Sequence, residues 1–440
     1  MLSRPISFAL AGLAGAATLT AASAPSPLYP VYQRLWGFSS FILTVIFAAY
    51  VVALLVALLT VGSLSDRIGR RPVASASLVL LTLGMVLFAT ADSTGALVAA
   101  RLVQGFAVGA ATGTFTAMII DKAPSARSGS LVSSAVPSLG IAFGAVLAGA
   151  LVEFAPFPRQ LVFWVLAVSY LVIAALIWLV PEHVRPNTST ARSIWPSLLP
   201  SIGLPPAARS IFLALVPSIA ATWALGGLYL SLGSSILGTV LGVQSHFTIG
   251  LVLGVFFIAG TVGTAISAFL PPRLGTLFGY GTLVLGVLIT IAALVMAGTP
   301  LYIVGSVIAG LGFGATFRLA VGALGEAAPD AERGQVFATM YIVSYIAFSV
   351  PALVAGLAVE HFGLEPTAVV YGTMDVALVV IAIVAGLVRA RRQAAGVPDG
   401  SSASPPRPVS CQPIECSRSD ANPSAAYWRT DVSSVAGSNE

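Results

Sequence analysis

Three ionisable side chains fall inside stretches that are otherwise apolar for about twenty residues: Arg101, Arg318 and Asp375. A charge placed in hydrocarbon is costly unless it faces a cavity or finds a partner, so each is a candidate for handling an ion or a charged ligand. Asp375 stands about nine residues into its stretch, near mid-membrane by helical rise, where a carboxyl group can take and release a proton or make a structural hydrogen bond. Arg101 lies near one end of its helix and Arg318 toward the opposite end of another. Both can bind an anion or extend to the membrane surface. Glu153 and Glu360 close two helices at the same face, either as structural groups or as points where a proton enters.

A second set has the right types to line a cavity: Gln104, Trp223, Tyr229, Phe313, Phe317, Tyr341 and Tyr345. Aromatic rings in a largely apolar cavity suit amphipathic ligands, and in membrane helices such rings also serve as packing and interfacial anchors. Hydrolytic and metal chemistry is excluded. The histidines are dispersed at positions 183, 246 and 361, and the cysteines, Cys411 and Cys416, sit together in a polar tail. There is no Gly-x-x-x-x-Gly-Lys-Ser/Thr loop for a nucleotide. Neither an enzyme nor a cofactor is expected.

The elements that must position these residues are membrane helices. Charged residues make up 8% of the chain and hydrophobic ones 57%, with a mean hydropathy of +0.96, whereas soluble domains carry about a quarter charged residues. The formal charge of +5 is scattered over loops rather than gathered into a stripe, which excludes a nucleic-acid partner. Apolar stretches fall at about 6–26, 40–61, 73–91, 95–119, 129–153 and 160–180, then at about 210–236, 246–269, 275–297, 300–324, 335–359 and 367–388. The expectation is an all-α membrane protein of twelve transmembrane helices in two six-helix bundles. The first bundle covers 1–180, a linker 181–209, the second bundle 210–390, and a disordered tail 391–440. The first stretch ends in Ala22-Ser23-Ala24, like a signal peptide, but Pro25 opposes cleavage and an uncleaved helix is expected. Pro25, Pro27 and Pro30 should break or kink its end.

Basic residues assign the faces. With the amino terminus inside, Arg67, Arg70, Arg71, Lys122, Arg127, Arg273 and Arg333 all fall in inside loops, against Arg34 and Arg159 outside. Both termini are then cytoplasmic, in a cell membrane. The halves are internally related. Gly105, Gly109, Asp121, Pro124 and Gly129 recur 205 residues later as Gly310, Gly314, Glu326, Pro329 and Gly334.

One loop carries more than topology: Gly62-Ser63-Leu64-Ser65-Asp66-Arg67-Ile68-Gly69-Arg70-Arg71. Gly62 lets a helix end approach its neighbour, and Gly69 permits a turn where a side chain would clash. Asp66 can bind a helix amino terminus, and Arg70 and Arg71 can reach Asp121 or lipid phosphate. This stretch resembles the loop 2–3 signature of the major facilitator superfamily, Gly-x-Leu-x-Asp-Arg-x-Gly-Arg-Arg, and Arg101-Leu-Val-Gln104-Gly105 with Gly109 is similar to that family's fourth-helix motif. The resemblance covers about residues 5–390. It implies a secondary transporter in which two bundles rock about a central site. It implies that Asp66 meets the start of the eleventh helix as a gate, that Arg101 is linked to proton handling, and that the twelfth helix is peripheral. The family's drug:proton antiporters carry a fifth-helix motif, Gly-x-x-x-Gly-Pro-x-x-Gly-Gly, of which Pro137 and Gly140 are present while Val132, Val136 and Ile141 replace the other fixed positions. The expected activity is proton-coupled efflux of small amphipathic or drug-like molecules by a monomer. The alternatives are proton-coupled import of an organic anion or other small metabolite, with Arg101 and Arg318 as the anion's ligands, and a non-transporting sensor or scaffold.

Overall fold

The computed structural model describes residues 2–61, 64–182, 203–329 and 332–394. Most of the expected linker, and the expected tail from 395 onward, lie outside the described residues. Those residues form helices and no strand. The first half contains α1 (Arg4–Ser23), α2 (Tyr29–Trp36), α3 (Ser40–Val61), a single turn α4 (Ser65–Ile68), α5 (Arg70–Ala89), α6 (Thr94–Lys122), α7 (Ala126–Phe154) and α8 (Leu161–Ile177). The second contains α9 (Pro206–Ser231), α10 (His246–Ser267), α11 (Pro272–Val295), α12 (Thr299–Ala327), α13 (Arg333–Phe362) and α14 (Leu364–Ala394).

Among the described residues, eleven spans are long and apolar enough to cross a membrane, and the shorter apolar helix α8 makes the twelfth. The first span does not stop at residue 26. It runs from Arg4 to Trp36 through a 3₁₀ turn at Ser26–Leu28. The proline cluster interrupts the α-helical ladder there, but proline fits a helix's first turn, so the chain restarts as α2 instead of turning away.

Helix pairing shows the twofold relation of the halves. In the first, α3 and α5 pack on α6, α1 on α7, and α5 on α8. In the second, α10 and α11 pack on α12, α9 on α13, and α11 on α14. The halves join through α7 on α10 and α13 on α3, which are themselves equivalent contacts. The repeated glycines explain the shared register. A Cβ at Gly105 or Gly109 would collide with the Tyr50 or Leu54 carbonyl of α3, and one at Gly310 or Gly314 with the Phe256 or Gly260 carbonyl of α10. Each pair lets two helix backbones touch, the device that replaces hydrophobic attraction where the solvent is itself apolar.

Candidate functional site

The two ends of the bundle are built differently. At the end away from the termini, the halves are tied by hydrogen bonds. Ser26 Oγ donates to the Leu230 carbonyl at 2.9 Å, Ser234 Oγ donates to the Ser26 carbonyl at 2.7 Å, and Ser235 Oγ donates to Gln33 Oε1 at 3.3 Å. Two carboxylates complete the closure. Glu153, at the end of α7, accepts the His246 N–H at 2.7 Å at the start of α10. Glu360, at the end of α13, accepts the Phe41 N–H at 3.4 Å at the start of α3. Each anion caps a helix amino terminus of the opposite half, where free N–H groups and the helix dipole favour negative charge.

At the terminal end, the described contacts knit the first half to itself. Arg70 Nε stands 2.6 Å from Asp121 Oδ2. The Arg71 backbone N–H reaches Glu182 Oε2 at 3.0 Å, Arg4 Nη2 donates to the Ala123 carbonyl at 2.7 Å, and Lys122 Nζ donates to the Pro181 carbonyl. Gly69, between α4 and α5, has φ 100° and ψ 154°, a region that is essentially glycine-only. Gly62 and the side chains of Asp66 and Arg67 lie outside the described residues. At the start of α13, which Asp66 is expected to meet, the N-cap residue Glu332 makes no side-chain cap of its own.

Midway along the first half, Arg101 is wholly buried. Its Nε donates to the Tyr29 hydroxyl at 2.9 Å and Nη2 to the same oxygen. Nη1 donates to the Ala22 carbonyl at 3.1 Å and to Gln104 Oε1 at 2.6 Å, while Gln104 Nε2 donates to the Ala21 carbonyl at 2.5 Å. The guanidinium also lies over the rings of Tyr29, Tyr50 and Phe88, 5.3–5.6 Å from their centroids. Carbonyls, a phenol and π-faces solvate the cation here, and it does not extend to the surface. Neither Tyr29 nor Tyr50 stands among the candidate site residues of the sequence. The proline cluster beside Tyr29 is the signal in its neighbourhood, since it marks where the first helix breaks and restarts as α2.

The second half contributes rings. Trp223 of α9 meets Phe317 of α12 at 5.4 Å and Tyr345 of α13 at 5.0 Å, both edge-on, and Tyr345 stacks with Tyr341 at 6.3 Å. Phe348, absent from the sequence candidates, touches Trp223 at 5.6 Å and crosses to Phe47 of the first half at 5.0 Å. The Trp223 Nε1–H is buried without a partner. Tyr229 and Phe313 lie elsewhere, packed about Phe256, with the Tyr229 hydroxyl bonded to Ser306 at 2.7 Å. Arg318 donates to the Ser267 carbonyl at 3.2 Å and lines a pocket of about 700 Å³ walled only by second-half residues, with Arg273 and Arg389 also in its wall. Asp375 is buried with both oxygens unpartnered, on the side of α14 that faces α13.

The sequence profile of the family described as "Major Facilitator Superfamily" matches residues 11–299. The chain belongs to the major facilitator superfamily. No curated protein matches it. Among solved structures, it is similar to a bacterial homolog of the human lysosomal transporter Spinster in an inward-facing, unoccupied conformation. That match has 14% identity and TM-score 0.66, and it covers 87% of this chain and 95% of the other. The same homolog in an inward-facing, occupied conformation matches at 13% identity and TM-score 0.66, covering 87% and 97%. The nucleoside transporter NupG, as a D323A mutant, matches at 11% identity and TM-score 0.66, covering 86% and 99%. At these identities the likeness establishes the twelve-helix fold. The chain is thus a membrane transporter of this superfamily rather than an enzyme.

Proposed function

We propose that this superfamily member exports small amphipathic molecules in exchange for protons, as a monomer in a bacterial cytoplasmic membrane with both termini inside. The observation that carries the reading is the ring cluster of Trp223, Phe317, Tyr341, Tyr345 and Phe348 at the junction of the halves. It offers apolar faces and a buried donor without a partner, Trp223 Nε1. A flat, weakly polar molecule is what such a surface binds best, because an unpaired buried N–H gains most from a new acceptor. With the terminal end cytoplasmic by its arginines, the far-end ties describe a state closed to the outside. Glu153 is the coupling group in this reading: a proton arriving from outside neutralises it, weakens its cap on α10 and favours opening. Gly62, Asp66 and the arginines of the loop form the opposing gate. Anion import is less supported, because Nε, Nη1 and Nη2 of Arg101 are each engaged within the first half.

Proteoliposomes with an imposed pH gradient test the proposal. A lipophilic fluorescent dye should move against its gradient only while the proton gradient lasts. Trp223→Ala should lower its transport several-fold while the protein still inserts. Dye movement independent of the gradient, or unaffected by Trp223→Ala, would refute it.

A further inference from the structure

The helices α13 and α14 turn about Gly363 and leave a groove between them, floored by Ala224 of α9. Its volume is about 560 Å³, within the range of roughly 300–1,000 Å³ typical of small-molecule sites. Two stripes at helical spacing form its walls: Val350, Val354 and Phe362 on α13, and Val370, Met374 and Leu378 on α14. Val354, Phe362, Val370 and Met374 are 58–73% exposed, so the groove opens sideways toward the bilayer. None of its lining residues belongs to the ring cluster.

The one carboxyl group in this wall is Asp375, 2% exposed, with neither carboxylate oxygen hydrogen-bonded. Its neighbours cannot satisfy it. The Tyr371 hydroxyl, one turn away, donates to the Ala224 carbonyl at 2.7 Å, and the Thr367 hydroxyl donates to the Gly363 carbonyl at 2.7 Å. Those are the other side-chain donors in the groove, and both are committed. Asp375 starts eleven residues after Leu364, or about 16 Å along the helix, so it sits deep in the membrane where water does not compensate it. An apolar slot open to lipid, with an unsatisfied acid at its base, is complementary to an alkyl chain that ends in a hydrogen-bonding cation.

We propose that the α13–α14 groove binds a lipophilic primary amine in its ammonium form, drawn from the bilayer, with the ammonium on Asp375 and the chain along the two apolar stripes. The proposal holds whichever way the transporter runs and does not depend on the ring cluster. The probe is decylamine carrying a chain-end diazirine, added to the full chain in lipid nanodiscs. The same photoprobe built on decanol and on decanoate provides neutral and anionic controls. Illumination and peptide mapping should place amine label on segments 350–362 and 370–378 at least tenfold above either control. Asp375→Asn should reduce amine labelling to the alcohol's level, and Val354→Trp, at a lipid-facing position, should fill the slot and abolish it. Should Asp375→Asn fail to fold, the amine-to-alcohol ratio in the wild type and the Val354→Trp result still decide. Equal labelling by amine and alcohol, amine label undiminished in Asp375→Asn, or amine label confined to other segments would each overturn the proposal.

Discussion

Replacing Glu153 and Glu360 together by glutamine should open the far end of the transporter. Glutamine keeps the acceptor oxygen that receives the His246 and Phe41 N–H groups and removes only the negative charge. The change in free energy is therefore the charge–dipole part of each cap, about 0.3–1 kcal/mol for a group with surface exposure. Glu153 is such a group, with 28% of its side chain accessible. The two caps sit on separate helix pairs, α7 with α10 and α13 with α3, so their contributions should add. Together they amount to roughly 0.6–2 kcal/mol, or about a 3- to 30-fold shift from closed toward open, taking about 1.4 kcal/mol as a factor of ten.

Spin labels at two exposed far-end positions, Phe157 in the first half and Gln244 in the second, would report the shift as a longer-distance population in pulsed dipolar spectroscopy. Each single variant should give a smaller shift in the same direction. Glu365→Gln serves as the control, since that carboxylate lies in the first turn of its own helix, α14, and bridges no half. An unchanged distance distribution in the double variant, or an equal change in Glu365→Gln, would refute the capping argument and with it the coupling role given to Glu153.

Three further outcomes are expected. Gly69→Ala places a side chain at φ 100° beside Glu182, at a cost of about 1–3 kcal/mol, and should lower the melting temperature of the purified protein without changing the shape of its substrate dependence. Gly105→Val and Gly310→Val should be about equally damaging, at least ~1–3 kcal/mol each, because both drive a side chain into a neighbouring backbone; Gly322→Ala, with open space around it, should be neutral in the same thermal assay. Asp66→Asn should reduce gradient-driven transport while leaving membrane insertion intact; normal transport rates in proteoliposomes would remove Asp66 from the gate.

The spans were legible because each is a single local pattern. The stretch read at 40–61 is α3, Ser40–Val61, and most others start and end within a few residues of their helices, while the first continues to Trp36 and the last to Ala394. The repeat was legible for a physical reason as well: glycine is required wherever two backbones meet, so Gly105, Gly109, Gly310 and Gly314 hold one register in both halves. Partnerships across helices were much harder to see. Nothing near Arg101 in sequence announces Tyr29, seventy-two positions earlier, nor does the context of Arg71 announce Glu182. Ring candidates separated into two groups, with Trp223, Phe317, Tyr341 and Tyr345 together and Tyr229 and Phe313 in a separate stack. Helical spacing gives the side of a helix on which a ring lies, but not which neighbour lies opposite.

The far end is closed by devices that obey the repeat, since Glu153 caps α10 just as Glu360 caps α3. The terminal end has no such balance in sequence. The first half carries Asp66, Arg70 and Arg71, while the matching stretch, Leu270-Pro-Pro-Arg273-Leu-Gly275, has a proline in place of the aspartate and no arginine pair. A symmetric closure is lost evenly on both flanks when the charge of its two carboxylates is removed. An asymmetric closure can instead be released from one flank, with Arg70 held by Asp121 and Arg71 by Glu182 so that the loop stays anchored to its own half. In the proposed reading, the two gates therefore need not respond to the same signal.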